Sequence, residues 1–243
     1  MGCRDATLRV SPLLMLFIVA RFQSFNGEMR TGGRQSQVSR LYGCSADFML
    51  MPNDALRTYF QGKIHLSEAQ LTELEQLLTP RHLARHEVLT RQGAAGRYGA
   101  FVVRGCLRSF VTDERQKEHI LQFAPENWWI SDQLSLVRQE PALSSIDALE
   151  DSDVLLFGAD FYGHLPHFGP EFQSFFHQLL QNSLVAMQRR LIGVLSASAE
   201  TRYQDFLHLY PTLAQRLPLR YIAAYLGITP ESLSRIRGGL ARR

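Results

Sequence analysis

Cysteine is scarce in this chain of 243 residues: Cys3, Cys44 and Cys106 are far apart and odd in number. That excludes a disulfide framework, offers no zinc-ligand spacing, and suits a reducing compartment such as the cytoplasm. The eight histidines are scattered. The nearest pairs, His82 with His86 and His164 with His167, have no Cys or acidic ligand at metal-site spacing and read as ordinary surface or core residues. Long apolar runs are missing too. The one near the N-terminus, Leu13 to Ala20, spans eight residues after Pro12, against the ~18–20 that a membrane-spanning helix needs. With Arg4 and Arg9 before it, the run resembles a secretory leader only superficially, because no convincing small-x-small cleavage site follows. Met1-Gly2-Cys3 opens like an acylation signal, but Ala6 stands where that signal requires Ser or Thr. No membrane association is expected.

What is present is ordinary for a soluble globular protein, 45% hydrophobic and 20% charged residues with room for about two domains. The net charge of +3 becomes informative when the chain is divided. Residues 1–50 hold six Lys/Arg and three Asp/Glu, residues 51–188 eleven and seventeen, and residues 189–243 nine and three. A basic C-terminal third on an acidic middle suits a polyanion-binding tail attached to a regulatory body, since phosphate contacts dominate non-specific affinity for DNA. A merely solvated basic terminus would have the same composition.

From Arg21 to Ser45 the chain is rich in Gly, Ser, Gln and Arg without a sustained period, which predicts a disordered extension over residues 1–50. Orderly patterning begins just after Met49 and Met51, either of which is a candidate functional start. Helical patterns then run from Asp54 to Gln61 and from Ser67 to Leu78, the second opened by a capping box of Ser67 with Gln70 and ended by Pro80. Short runs follow at Glu87–Arg91, Ala100–Val103, Leu107–Thr112, His119–Phe123, Ser145–Leu149 and Val154–Phe157, bounded by Gly93, Gly96, Gly105, Asp113, Pro125 and Asp151. Six such strands with tight turns predict a compact antiparallel sandwich, roll or barrel. Trp128-Trp129-Ile130-Ser131-Asp132 reads as core rather than as the lining of an apolar pocket.

Between Pro170 and Leu195 no proline intervenes, and Phe172, Phe176, Leu180, Leu184, Met187, Leu191 and Leu195 recur at steps of three or four. Phe175, Leu179 and Val194 widen this stripe enough for two surfaces, one against its own β-domain and one against a partner helix; packing within the chain alone is the alternative. Ser198, Glu200 and Thr201 open another helix, stopped by Pro211. Arg189, Arg190, Arg202, Arg216 and Arg220 are free either to contact phosphates or to solubilise the surface.

The segment Pro218–Leu240 carries the most specific pattern. Ile222, Ala223 and Leu226 mark the buried face of one short helix, Gly227 supplies a turn, and Ile228, Leu233 and Ile236 continue the apolar set, which reads as a helix-turn-helix. Thr229 as N-cap and Pro230 at the first helical position start the second helix. Its polar face carries Glu231, Ser234, Arg235 and Gly238. Gly238-Gly239 lowers helix propensity by ~1 kcal/mol per glycine relative to alanine, so fraying is expected after Arg237.

Small helices, a β-roll containing Val103-Arg104-Gly105-Cys106-Leu107-Arg108, a long helix and a terminal helix-turn-helix follow one another over about residues 51–243. This order of modules resembles the Crp/Fnr family of bacterial transcription regulators, whose β-roll is a cyclic-nucleotide-binding-like domain. The resemblance implies an α+β fold with an antiparallel β-roll of jelly-roll type at residues 51–168, a dimerisation helix at 169–196 and a DNA-binding helix-turn-helix domain at 197–243. It implies a cytoplasmic homodimer that places two reading helices in successive major grooves of a two-fold operator on double-stranded DNA, with RNA polymerase as a further partner. Glu231 and Arg235 match two base-contacting positions of the family, and their chemistry agrees, since Arg pairs with guanine O6 and N7 and Glu accepts from cytosine N4. Ser234 shares that face, and Thr229, Ser232 and Arg237 are candidates for phosphate contacts. Pro230 stands where some relatives have a basic contact, so the sequence read will differ from theirs.

The resemblance departs in one place. Relatives that bind cyclic AMP carry a Gly-Glu pair for the ribose and, further on, an Arg beside Ser or Thr for the cyclic phosphate. Here the matching stretch is taken as Ala124-Pro125-Glu126-Asn127-Trp128-Trp129, followed by Leu143-Ser144-Ser145, without the Gly or the Arg. Cyclic AMP binding in the usual way is not expected, and no effector-binding residue or cofactor is assigned. The iron-sulfur version of the family is not expected either, with only Cys44 and the distant Cys106 to offer. The rival readings are a ligand-binding β-roll without DNA recognition and a cupin-type enzyme; the second lacks a His-x-His companion for His119, and no nucleophile–base pair stands out.

Overall fold

The computed structural model describes residues 52–241, so the expectations for residues 1–50 lie outside it. Helices α1 (Pro52–Phe60) and α2 (Glu68–Gln76) come first. The capping box at Ser67 is complete, with Ser67 accepting from the Gln70 backbone and Gln70 returning the bond. Helix α2 ends before Pro80, which lies inside an unforeseen strand, β1 (Thr79–Leu83). A proline is tolerated there because β1 is an edge strand, paired only with the strand Ser152–Phe157.

Strands β2 (Val88–Thr90), β3 (Gly99–Arg104), β4 (Leu107–Thr112), β5 (Glu118–Ala124), β6 (Trp129–Ile130), β7 (Ser145–Ala148) and β8 (Ser152–Phe157) complete two four-stranded antiparallel sheets, ordered β1-β8-β3-β6 and β2-β7-β4-β5. Each foreseen strand is present. Leu83, Val102 and Val154 of one sheet and Leu107, Ile146 and Ala148 of the other bury into a single core, which makes the pair a β-roll. Gly105 joins β3 to β4 with φ 96°, and a Cβ there would overlap the Ser152 hydroxyl and the Asp151 carbonyl, so the turn requires glycine.

Strand β6 and helix α3 (Gln133–Arg138) also lie where no periodicity announced them, being too short to show one. Helix α4 (Asp160–His164) and a single 3₁₀ turn lead into α5 (Gly169–Ser196). Trp129 is half-buried and packs against the core, its ring 4.9 Å from that of Phe101, beside a cluster that includes Tyr59, Phe157, Phe161, Phe172 and Phe176. The C-terminal helices are α6 (Ala199–Leu209), α7 (Leu213–Arg216), α8 (Leu219–Leu226) and α9 (Pro230–Leu240).

Among the described residues, no helix is long and apolar enough to cross a membrane, and no group of three or more His, Cys, Asp or Glu could hold a metal ion.

Candidate nucleic-acid interface

Helices α8 and α9 are short and stay folded because one face of each is buried. Ile222, Ala223, Leu226 and Leu233 have at most 2% exposure. Gly227 ends α8 in the left-handed conformation, φ 69°, and its N–H returns to the Ala223 carbonyl. The Thr229 hydroxyl accepts from the Ser232 N–H at 3.2 Å, and Pro230 occupies the first turn of α9. The expected fraying after Arg237 does not occur. Helix α9 continues to Leu240, and Ala241 N donates to the Arg237 carbonyl at 3.0 Å. Ile236 and Leu240 pack against the buried cluster, which offsets the weak propensity of Gly238-Gly239.

The face of α9 opposite Leu233 is open to solvent. Glu231, Ser234, Arg235 and Arg237 are exposed, as is Thr229, and Ser232 is half-buried. Ser234 and Arg235 line a shallow depression with Gly238 and Gly239. Thr229 and Ser232 are engaged in the cap, and Arg235 Nη2 donates to Ser232 Oγ at 3.3 Å. Its own backbone N–H, the Thr229 side chain and the Arg235 charge hold the Glu231 carboxyl below the usual carboxylate range. It therefore offers two acceptor oxygens beside a guanidinium that offers a planar donor fork.

The remaining arginines of the basic third divide. Arg189 is exposed on α5. Arg190 is engaged inside the molecule: it donates to the carbonyls of Leu121 (2.6 Å) and Ile120 (2.5 Å) on β5 and of Tyr225 (2.9 Å) on α8, with its guanidinium 4.2 Å from the Tyr225 ring. Arg202 donates to the carbonyls of Leu226 and Ala197. Arg216 reaches from α7 to Glu126 at 2.8 Å and to Glu150, and Arg220 stacks over Tyr221. Arg202 and Arg220 bond within the C-terminal segment, while Arg190 and Arg216 fasten its helices to the β2-β7-β4-β5 side of the β-roll. Between them lies a shared apolar cluster in which Cys106, Phe110, Ile120 and Phe123 of the β-roll meet Phe206, Tyr210, Tyr225 and Leu226. Nothing in the spacing of Arg190 or Arg216 distinguishes them from phosphate-seeking arginines.

A cyclic nucleotide in the β-roll interior would need convergent donors or a cation for its phosphate. Residues Ala124–Trp129 do not build such a site; they turn from β5 into β6, and Glu126 is held by Arg216 and by the Gly105 N–H. A group of buried polar residues, Asp132, Ser135 and Ser144, lies instead around α3. There the donors already hold the carboxylate of Asp132, which accepts from Ser135 N (3.0 Å), Ser144 N (3.0 Å) and Ser144 Oγ (2.9 Å). Leu143 next to them is 64% exposed and brings no charge. Arg108, the buried basic side chain of the β-roll among the described residues, is committed to Asp147 and Glu118. This donor set does not fit a cyclic phosphate.

The model of the cyclic nucleotide-binding domain family matches residues 80–165. Among solved structures, FixK2 from Bradyrhizobium japonicum is 18% identical with a TM-score of 0.60, covering 68% of this chain and 85% of that one. CLP from Xanthomonas campestris, a c-di-GMP responsive global regulator, is 12% identical with a TM-score of 0.59, covering 72% and 92%. A Eubacterium rectale protein assigned to the Crp/Fnr family of transcriptional regulators is 17% identical with a TM-score of 0.56, covering 74% and 85%. No curated protein sequence matches the chain.

Proposed function

We propose, for a chain that has the fold of the Crp/Fnr regulators and carries a cyclic nucleotide-binding domain at residues 80–165, that it is a cytoplasmic, dimeric, DNA-binding transcription regulator and not an enzyme. The observation that carries the reading is the open face of α9, where Glu231, Ser234 and Arg235 stand exposed on a capped, buried-backed helix. Arg235 would read guanine and Glu231 cytosine in the major groove, while Thr229, Ser232 and Arg237 hold phosphates. RNA polymerase is the further partner that such a role calls for.

The dimer reading rests on α5. Phe172 and Phe176 near its start are buried against the β-roll, but Leu184 (56% exposed), Met187 (68%), Leu191 (60%) and Leu195 (77%) continue the stripe in the open. A second copy of α5 packed along it would bring two α9 helices to a two-fold site. Selection from a pool of random duplexes should return a palindromic site with half-sites about one helical turn, ~34 Å, apart. Recovery of no enriched sequence would overturn the reading. Leu191→Glu is expected to yield a monomer by sedimentation, with operator affinity falling at least tenfold.

A further inference from the structure

Asp132 is a buried carboxylate, 6% exposed, that makes no ion pair among the described residues. Taking such a group out of water is expensive unless hydrogen bonds replace its hydration. The replacement here comes from two separated pieces of chain. Ser135 N, in the first turn of α3, donates to one carboxylate oxygen, and Ser144 N and Oγ, at the entry to β7, donate to the other. Ser109 Oγ from β4 donates to Ser144 Oγ at 3.0 Å, which leaves the Ser144 proton directed at Asp132. Neutral N–H and O–H groups converging from different segments are how a protein holds a bound anion.

The seat is also closed. The loop between β2 and β3 is laced to the segment before Ser144 by Gly93 N to Ala142 O and Ala142 N to Ala94 O, both 2.8 Å. At Gly96 a Cβ would overlap the Ser135 hydroxyl, so the loop lies directly on α3. An anion arriving from solution would have to displace the lacing and then a carboxylate that is permanently at hand, and it would meet that like charge at short range.

We propose that Asp132 is the internal anion of the β-roll: a side chain of the protein fills the seat that the Ser135 and Ser144 donors would otherwise offer to an anion, so the domain rejects anionic ligands there and keeps its filled arrangement without one. This deepens the reading of the β-roll as the regulator's second domain. It makes the domain a preset support for the DNA-reading helices rather than a sensor of cyclic AMP at that position.

The test uses the full chain without DNA, so its outcome does not depend on whether α9 reads DNA. Thermal unfolding is followed in rising inorganic phosphate, and separately in cyclic AMP, against chloride at matched ionic strength. The wild-type protein should show no saturable response to either ligand. Asp132→Ser keeps a good N-cap but removes the carboxylate from the Ser144 donors. It should be stabilised saturably by phosphate, by about 3–6 °C for each tenfold increase beyond half-saturation. A saturable response of the wild type, or a folded Asp132→Ser that responds no more than wild type, overturns the proposal. Amide exchange of the wild type supplies a readout free of any variant. Protection at Ser135 and Ser144 should be unchanged by phosphate, and a change at both would show that an external anion enters.

Discussion

The arginines of α9 and those of α5, α6 and α7 belong to one basic stretch of sequence yet meet opposite surroundings. Arg235 and Arg237 project from an open helix face, whereas Arg190 and Arg202 are capped by backbone carbonyls and Arg216 by two carboxylates. The first pair faces solvent, where a polyanion could meet it; the second group directs most of its donors inside the molecule. The excess of positive charge in residues 189–243 therefore overstates what a phosphate backbone would feel, because part of it fastens the C-terminal helices to the β-roll.

The sharpest way to break this comparison is Arg190→Ala. It orphans the carbonyls of Ile120, Leu121 and Tyr225 at once, and a loss of about 2–4 kcal/mol in urea unfolding is expected. A change confined to DNA affinity would place Arg190 with the reading group instead. Next in size, Arg235→Ala should forfeit ~1–3 kcal/mol of discrimination at one base pair in competition binding, with unfolding shifted by less than ~0.5 kcal/mol. Arg237→Ala should weaken all duplexes alike and lower the salt-dependence slope by about 1. Equal loss of specificity in both variants would erase the division between them.

The smallest effect concerns Arg216. Burial pushes the Glu126 carboxyl up, but Arg216 and the backbone N–H groups around it outweigh that and leave it below the usual carboxylate range. A carboxyl whose folded value is depressed contributes stability that is present above its ordinary value and is lost as pH falls through the folded one. Wild type should therefore lose this increment on acidification, and Arg216→Gln should already lack it at neutral pH. Since the Arg216 and Glu126 side chains are 31% and 36% exposed, the difference is about 1 kcal/mol or less. Thermal midpoints of the two proteins compared across the acidic range would measure it, and parallel curves would contradict it.

Much of this was legible from residues. The 3.6-residue stripe located α5, Ser67 and Gln70 opened α2, and Thr229-Pro230 started α9 where it begins. Local chemistry writes such signals at fixed offsets. Elements too short for a period, β6 and α3, left none, and Pro80 misled because only the sheet order reveals that β1 lies at an edge. The arginine contacts were illegible for another reason. A guanidinium seeks any oxygen, and whether that oxygen belongs to a nucleic acid or to Ile120 is decided by which strand folds against it. Asp132 was read only as part of a core segment, since its donors come from Ser135 and Ser144, brought together by the entry to β7.

The apolar cluster shared by Phe123, Phe206, Tyr210 and Tyr225 bears on how such a protein can be cut and recombined. A β-roll expressed without α6 to α9 would present Phe110, Phe123 and Cys106 to water, and the helices alone would present Tyr210 and Tyr225. Neither piece is then a self-contained module. Transplanting α9 with its neighbours onto a foreign sensor would succeed only if the donor's sheet face travelled with them, which makes the seam itself the unit of exchange.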